Sequence, residues 1–321
     1  MPWVVGIDEA GYGPNLGPLV MTSVACRVPE KLATANLWRV LKTAVRRSSW
    51  EEDSRLLIDD SKLVYSTTRG LCALETGVAA TLSVWPKDQP VTFQQLLSSL
   101  SPGHGAASRA EAWYTGTTLL PLELDQSELA SADSRLQEVC QKKGIEWGLI
   151  RSEVVHASRF NSLIAEWNSK GAVLGHALQV LIQANLEVLG DAESVHFVID
   201  KHGGRNCYAA ILQNAVPDGF VGAEEECAKR SGYRVMGMDR DVRFAFQPRA
   251  DSANFCVAIA SMVSKYVREV FMIEFNRYWQ ERIPGLAATA GYPGDAARFF
   301  LAMRPVMREL GIAEERVWRK R

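Results

Sequence analysis

The sequence predicts an α/β or α+β fold in which helices flank one mixed sheet. Three observations carry this expectation. Residues 3–7 and 195–199 are short apolar runs that leave little polar surface, the pattern of strands buried within a sheet. Residues 253–282 place Val257, Ile259, Ala260, Val263, Tyr266, Val267, Val270 and Phe271 near helical spacing on an apolar face. Strand-like and helix-like segments are interleaved along the chain, which is how one sheet with covering helices is built.

Taken in order, a strand at 3–7 meets the turn formers Gly11-Tyr12-Gly13-Pro14-Asn15, and a β-branched run at 19–28 follows as a second strand. Leu32, Leu37, Val40, Leu41 and Val45 predict a helix over 31–46. Periodicity is weak from 86 to 133, and Ser101-Pro102-Gly103-His104-Gly105 marks a loop there, so this stretch reads as an insertion beside the main sheet. A strand over 145–155 and helices over 158–167 and 172–189 come next. The strand at 195–200 leads to helices over 205–214 and 222–230, strands over 233–238 and 242–246, and the long helix over 253–282. A final helix over 294–310 belongs to a helical C-terminal region from about 283 to 321, and the whole chain is expected to form a single domain with the insertion.

With 321 residues, 47% of them apolar and 23% charged, the chain can bury a substantial core without disulfides. The six cysteines (Cys26, Cys72, Cys140, Cys207, Cys227, Cys256) have neither C-x-x-C nor zinc spacing and read as small core hydrophobes in a reducing compartment. The N-terminus has no basic region followed by an apolar stretch, and no window approaches a membrane span. A cytoplasmic, monomeric protein is expected. A net charge of −1 lends no support to nucleic-acid binding. The basic runs Lys229, Arg230, Arg234, Arg240, Arg243 and Arg316, Arg319, Lys320, Arg321 read first as solvated surface.

The chemistry-bearing residues are acids. Asp8 and Glu9 close the first apolar strand, Asp200 closes the 195–200 strand, and Asp251 stands just before the long helix. An acid at the end of a buried strand is costly unless it is paired or bound to a cation. Hard divalent ions choose carboxylate oxygens, and two of them can hold an attacking water and a leaving oxygen in line across a phosphodiester. Each acid also has a plainer role: Asp251 as the cap of its helix, Asp200 as a solvent-facing strand end. Asp8 and Glu9 are neighbours and on a regular strand point to opposite faces, so a shared site would require a backbone break there.

The words themselves then bear on the choice. Gly6-Ile7-Asp8-Glu9-Ala10-Gly11-Tyr12-Gly13-Pro14-Asn15-Leu16-Gly17-Pro18-Leu19-Val20 resembles the N-terminal signature of ribonucleases HII and HIII, the type 2 ribonuclease H family. Asp60-Ser61-Lys62-Leu63 is similar to the motif that follows it in that family. Asn161 and Gly175-His176-Ala177 resemble the middle of ribonuclease HIII, and Ile199-Asp200 the family's third acid. Ala250-Asp251-Ser252, then Ala258 to Lys265 and Arg268, resemble its fourth acid and the helix after it; Gly291-Tyr292-Pro293 echoes a C-terminal Gly-Tyr element.

The resemblance implies a ribonuclease H-like mixed sheet, with Asp8, Glu9, Asp200 and Asp251 as catalytic ligands of Mg²⁺ or Mn²⁺. It implies cleavage of the RNA strand of an RNA–DNA hybrid or ribonucleotide-containing duplex, leaving a 3′-hydroxyl and a 5′-phosphate. Gly11, Tyr12, Gly13, Ser61, Lys62, Lys265 and Tyr292 become the candidate substrate contacts. Glycine backbone at 11 and 13 can approach a sugar closely, and a 2′-hydroxyl contact distinguishes RNA from DNA. For Lys62 and Lys265 a salt bridge that steers the acids is an equal reading, and Ser61 is expected to shape its loop. His202, beside Asp200, is expected in a loop with the option of assisting proton transfer.

Departures from the family pattern mark a divergent branch. Tyr12 stands where ribonuclease HII has arginine; ribonuclease HIII manages without it, so hybrid cleavage is expected while recognition of a single ribonucleotide is left open. The lysine after Lys62 is missing, both Asp60–Asp200 and Asp200–Asp251 are lengthened, and the N-terminal domain of ribonuclease HIII is expected to be absent because the signature begins at residue 6. Two alternatives remain: a non-catalytic nucleic-acid binder on the same fold, and a structure-specific DNA nuclease. A dinucleotide site at Gly11-x-Gly13-x-x-x-Gly17 is disfavoured by its spacing and by the adjacent acids.

Overall fold

A computed structural model describes residues 1–83, 92–102, 111–124, 126–190 and 193–320. In chain order the main elements are β1 (Trp3–Ala10), β2 (Leu19–Arg27), α1 (Leu37–Val40), β3 (Val45–Arg46), β4 (Leu56–Leu57), α2 (Ser61–Val64), α3 (Cys72–Ser83), α4 (Phe93–Leu100) and α5 (Gln126–Lys143). There follow β5 (Glu146–Val155), α6 (Ala157–Trp167), α7 (Lys170–Val188), β6 (Val195–Asp200), α8 (Ala209–Ala215), β7 (Phe220–Glu226), β8 (Ser231–Met236) and β9 (Val242–Gln247). Last come α9 (Ala250–Ala253), α10 (Phe255–Gln280) and α11 (Pro293–Glu309).

Seven strands form one mixed sheet in the order β5-β2-β1-β6-β9-β8-β7. Its centre is parallel: β1 pairs with β6 and β6 with β9, while both flanks are antiparallel. The three central strands therefore bring their C-terminal ends to one edge, where ligands of open α/β sheets bind.

Alternation along β1 sends side chains to two cores. Val4, with Val20 and Val24 of β2, joins a cluster under α3, α4, α5, α10 and α11. Val5 and Ile7, with Leu19 and Met21, join a second cluster under α6, α7 and α8. Helix α10 lies against the first face and is buried on nearly all sides, from Phe255 through Trp279, as a helix apolar all round must be. It comes close enough that a Cβ on Gly6 would stand 2.2 Å from the Val257 nitrogen; only glycine at position 6 admits this approach. No helix among the described residues is long and apolar enough to cross a membrane.

Several expectations need correction. The helix expected over 31–46 is a 3-10 turn at Glu30–Leu32 and the single turn α1. Asn36 starts that turn afresh by accepting from the Arg39 nitrogen at 3.2 Å, and Val45–Arg46 is drawn into pairing with β4. The helix expected over 222–230 is an edge strand, β7, followed by a turn closed by Cys227 nitrogen on the Arg230 carbonyl. Its Glu224-Glu225-Glu226 run favours helix locally, but pairing with β8 overrides it, and an edge strand tolerates charge. Helices α3 and α5 were not anticipated.

The expected insertion falls partly outside the described residues (86–91, 103–110 and 125). What is described of it packs Phe93, Leu96, Leu97 and Leu100 of α4 into the first cluster and is also bolted to the core through polar contacts. Glu274 of α10, 3% exposed, accepts from the Gly116 nitrogen at 3.0 Å and the Thr118 hydroxyl at 2.8 Å. Glu75 of α3 accepts from the backbone nitrogens of Leu122, Glu123 and Leu124, while Glu123 accepts from those of Leu71 and Cys72. Over residues 115–124 such bonds leave no hydrophobic stripe in the sequence, and periodicity fades there. Of the six thiols, all free, only Cys26, Cys140 and Cys256 are core residues.

Candidate active site

Asp8, Glu9, Asp200 and Asp251 line one cavity of about 240 Å³, together with Gly11, Tyr12, Gly13, Ser61, Lys62, Lys265 and Tyr292. Ala10, Pro14, Ser261 and Arg268 complete the wall. Every candidate contact named from the sequence thus faces one space at the C-terminal ends of β1, β6 and β9.

No backbone break is needed to bring Asp8 and Glu9 there. β1 runs on through Ala10, still paired with β2, whereas its pairing with β6 stops at Ile7. Beyond Ile7 the strand has an open edge on the β6 side, so the cavity reaches both faces. Asp8 stands on the α10 face, where the Ser264 hydroxyl is 3.1 Å from its carbonyl. Glu9 stands on the other face, towards Tyr12.

The end of β6 and the short helix α9 hold the remaining acids. Asp200 Oδ1 accepts from the Ala250 nitrogen at 2.8 Å, which ties the end of β6 to α9. Asp251 lies in α9 and accepts from the Ser252 nitrogen at 2.8 Å. It is not the cap of the long helix: that role falls to Asn254, whose Oδ1 accepts from Cys256 and Val257 nitrogens at 3.0 and 3.2 Å. The sharp entry into α9 is made by Arg249, a non-glycine residue at φ +56.

The motif Asp60-Ser61-Lys62-Leu63 folds as α2. Asp60 caps it by accepting from the Lys62 nitrogen at 2.9 Å, and the Ser61 and Ser261 hydroxyls are 3.0 Å apart. Ser61 therefore shapes the wall through α10. Lys265 Nζ is 2.6 Å from Glu269 and 4.6 Å from the Tyr65 ring centre, so its ion pair is with Glu269 rather than with the four acids.

Electrostatics distinguish this cluster from ordinary surface acids. Burial, then Glu9, Asp200 and Asp251, push the Asp8 carboxyl well above the usual range. Burial and Asp200 push Glu9 up to about 7; burial, Asp60 and Asp200 push Asp251 up to about 6. Burial also raises Asp200, against the hydrogen bond from Ala250. For Lys62, burial works downward, but Asp60, Asp251, Asp8 and Asp200 outweigh it and raise its pKa. Mutual repulsion of this kind is what a bound cation relieves.

The donor set fits a hard divalent ion: four carboxylates, each with an oxygen not spent on the bonds above, facing a polar cavity. As the side chains stand, no group of three or more His, Cys, Asp or Glu among the described residues is closed tightly enough to hold an ion. The fit therefore rests on donor chemistry, shared cavity and mutual repulsion.

His202 does not belong to the site. It is 8% exposed, packs edge-on to Tyr208, and burial drives its pKa down to about 3, so it stays neutral. Two arginines read as surface are also inside. Arg240 donates to the Leu186 and Gly190 carbonyls, and Arg319, 1% exposed, donates to the Pro14 carbonyl at 3.0 Å through Nε. Arg321 lies outside the described residues. Ser261 and Arg268 are wall residues that sequence reasoning did not single out as contacts. Their signal was present: with Lys265 they fall at i, i+4 and i+7, one stripe of α10.

No protein-family model matches the chain, and no curated protein matches it. Solved structures similar to it include the ribonuclease HII of Archaeoglobus fulgidus in complex with PCNA, 14% identical over 99% of this chain and 94% of that one, with a TM-score of 0.42. The ribonuclease H2 of Pyrococcus horikoshii OT3 is 13% identical over 98% and 92%, at 0.44. Bst ribonuclease HIII in complex with Mn²⁺ is 13% identical over 99% and 66%, at 0.41. At such identities and scores these likenesses assign no role to any residue, and the site stands on its own geometry.

Proposed function

We propose that the protein is a metal-dependent endonuclease that hydrolyses the RNA strand of RNA–DNA hybrids. The observation that carries this reading is the convergence of Asp8, Glu9, Asp200 and Asp251 on one cavity, each pushed towards the protonated form by burial, and Asp8, Glu9 and Asp251 also by other acids of the set. The resemblance of the surrounding words to ribonucleases HII and HIII supplies the substrate class. The similar solved structures include ribonucleases of those two kinds, one of them with Mn²⁺.

In this reading the four acids hold Mg²⁺ or Mn²⁺. Bound divalent ions would supply the positive charge that lets an attacking water and a departing oxygen sit in line across the phosphodiester. Water oxygen bonds to phosphorus, the bond from phosphorus to the 3′ oxygen breaks, and that oxygen takes up a proton. The products are a 3′-hydroxyl and a 5′-phosphate. Asp200 is oriented by the Ala250 nitrogen and Asp8 by Ser261. Lys62 stands over the acids and, with Ser61, Lys265 and Tyr292, borders the path of the strand. A Cβ on Gly13 would meet nothing nearer than the Tyr292 ring at 4.0 Å, so backbone there is open to a sugar.

The test is incubation with Mg²⁺ or Mn²⁺ and end-labelled RNA–DNA hybrid, DNA duplex and duplex with one ribonucleotide. Hybrid cleavage that disappears in Asp8→Asn is the expected result. Tight binding without cleavage would make the protein a binder on this fold, and cleavage of the all-DNA substrate alone would make it a DNA nuclease.

A further inference from the structure

A cavity walled by four carboxylates repels the phosphates of its own substrate, and the chain as a whole carries a net charge of −1. Affinity for a polyanion must come from cations placed locally. Lys62, Lys265 and Arg268 stand on one side, all on α2 or α10, the elements on the Asp8 face, the latter two sharing Glu269 as a partner. That leaves the Glu9 face, where the same strand would pass Tyr12.

Two cations stand there, outside the cavity wall. Lys170, the first residue of α7, holds its ammonium 4.6 Å from the centre of the Tyr12 ring. Arg205 follows β6; a Cβ on Gly171 would be only 2.9 Å from its Nη2, so the guanidinium sits beside the start of α7. It also acts through space on the Tyr12 hydroxyl, opposing Glu9. Both residues are half-buried. α7 and α10 cover opposite faces of the sheet, so the two groups of cations flank the row of acids.

We infer that Lys170 and Arg205, gathered at Tyr12, form a second phosphate-binding point that grips the nucleic-acid backbone on the Glu9 side of the cavity. The inference rests on the nuclease reading above and adds where the strand leaves the site. Tyr12 positions the lysine through its ring face, an attraction of a cation to aromatic electrons.

The test is equilibrium binding of a fluorescent RNA–DNA hybrid in Ca²⁺, with the RNA strand checked to stay intact, across a series of salt concentrations. Removing one cation that neutralises a phosphate should flatten the plot of log K against log salt by about 1. Lys170→Gln and Arg205→Gln should each do so and together flatten it by about 2; Lys170→Arg should restore the slope. In Mg²⁺ the impairment should fall on KM rather than kcat. Slopes equal to that of the unaltered protein, with hybrid still bound and cut, would overturn this inference alone. Failure of the unaltered protein to bind or cut hybrid would overturn the nuclease reading and this one with it.

Discussion

The Asp200 carboxylate accepts a 2.8 Å hydrogen bond from the backbone nitrogen of Ala250, the residue immediately before Asp251. One acid thus fixes the approach of the next, and the ends of β6 and β9 are tied into a single edge. Through space Asp200 also raises the pKa of Asp251.

Neutralising an acid should separate chemistry from folding. Asp8→Asn and Asp200→Asn are each expected to lower hybrid cleavage more than about 100-fold, since losing even an outer partner of a metal ligand costs about 10–100-fold. Melting temperatures should hold or rise, because the substitution removes a repelled buried charge. Cleavage rates and thermal melts on the same preparations check this; a large drop in melting temperature for both would make them structural acids.

The stability of the metal-free protein should fall as pH rises through neutrality. Burial and neighbouring acids lift Glu9 from its ordinary 4.5 to about 7, and Asp251 from 3.8 to about 6. A carboxyl with a higher pKa in the folded chain favours folding while protonated. That contribution is complete below the unfolded values and is lost as pH climbs through the folded ones. Melting in a chelator should therefore decline between about pH 4 and pH 7, and Glu9→Gln should flatten that decline. A profile identical to that of the unaltered protein would contradict the shift.

Asn254 and Asp251 should behave differently although both precede α10. Asn254→Ala removes the cap and should cost about 1 kcal/mol. Asp251→Asn leaves that cap in place and should cost little stability while abolishing cleavage. Urea denaturation of both, beside their activities, tests the division.

Gly11→Ala should destabilise by at least about 1–2 kcal/mol, the cost of a left-handed backbone for a residue with a side chain. Gly11 has φ +88, and a Cβ there would lie 2.6 Å from the Pro18 carbonyl oxygen. Chemical denaturation measures it; a neutral outcome would mean the turn can rearrange.

Asn161, which in sequence resembles the middle of ribonuclease HIII, spends its side chain on the C-terminal segment. Nδ2 donates to the carbonyls of Glu315 and Trp318 at 2.9 and 2.8 Å, and Oδ1 accepts from the Lys320 nitrogen at 2.8 Å. Asn161→Ala should lose about 2–3 kcal/mol, at roughly 1 kcal/mol per bond, and expose Arg316 to trypsin. Unchanged proteolysis would sink this.

The sequence by itself determined the central strands, the long helix and the acids at their ends. Those signals are local: an apolar run of period two or 3.6, a glycine turn, a carboxylate where burial makes one expensive. It also carried the words that name the chemistry. What only the tertiary structure decided was how those pieces meet. Glu9 shares a cavity with Asp8 because β6 stops short of it, a fact about pairing that no spacing within β1 contains. The acidic run at 224–226 became an edge strand because a partner strand was available, and residues 115–124 are held by Glu75 and Glu274 from other elements. Buried Arg319 and neutral His202 look like surface residues in the sequence. Desolvation and hydrogen bonding depend on what surrounds a side chain in space, and sequence order alone does not specify that.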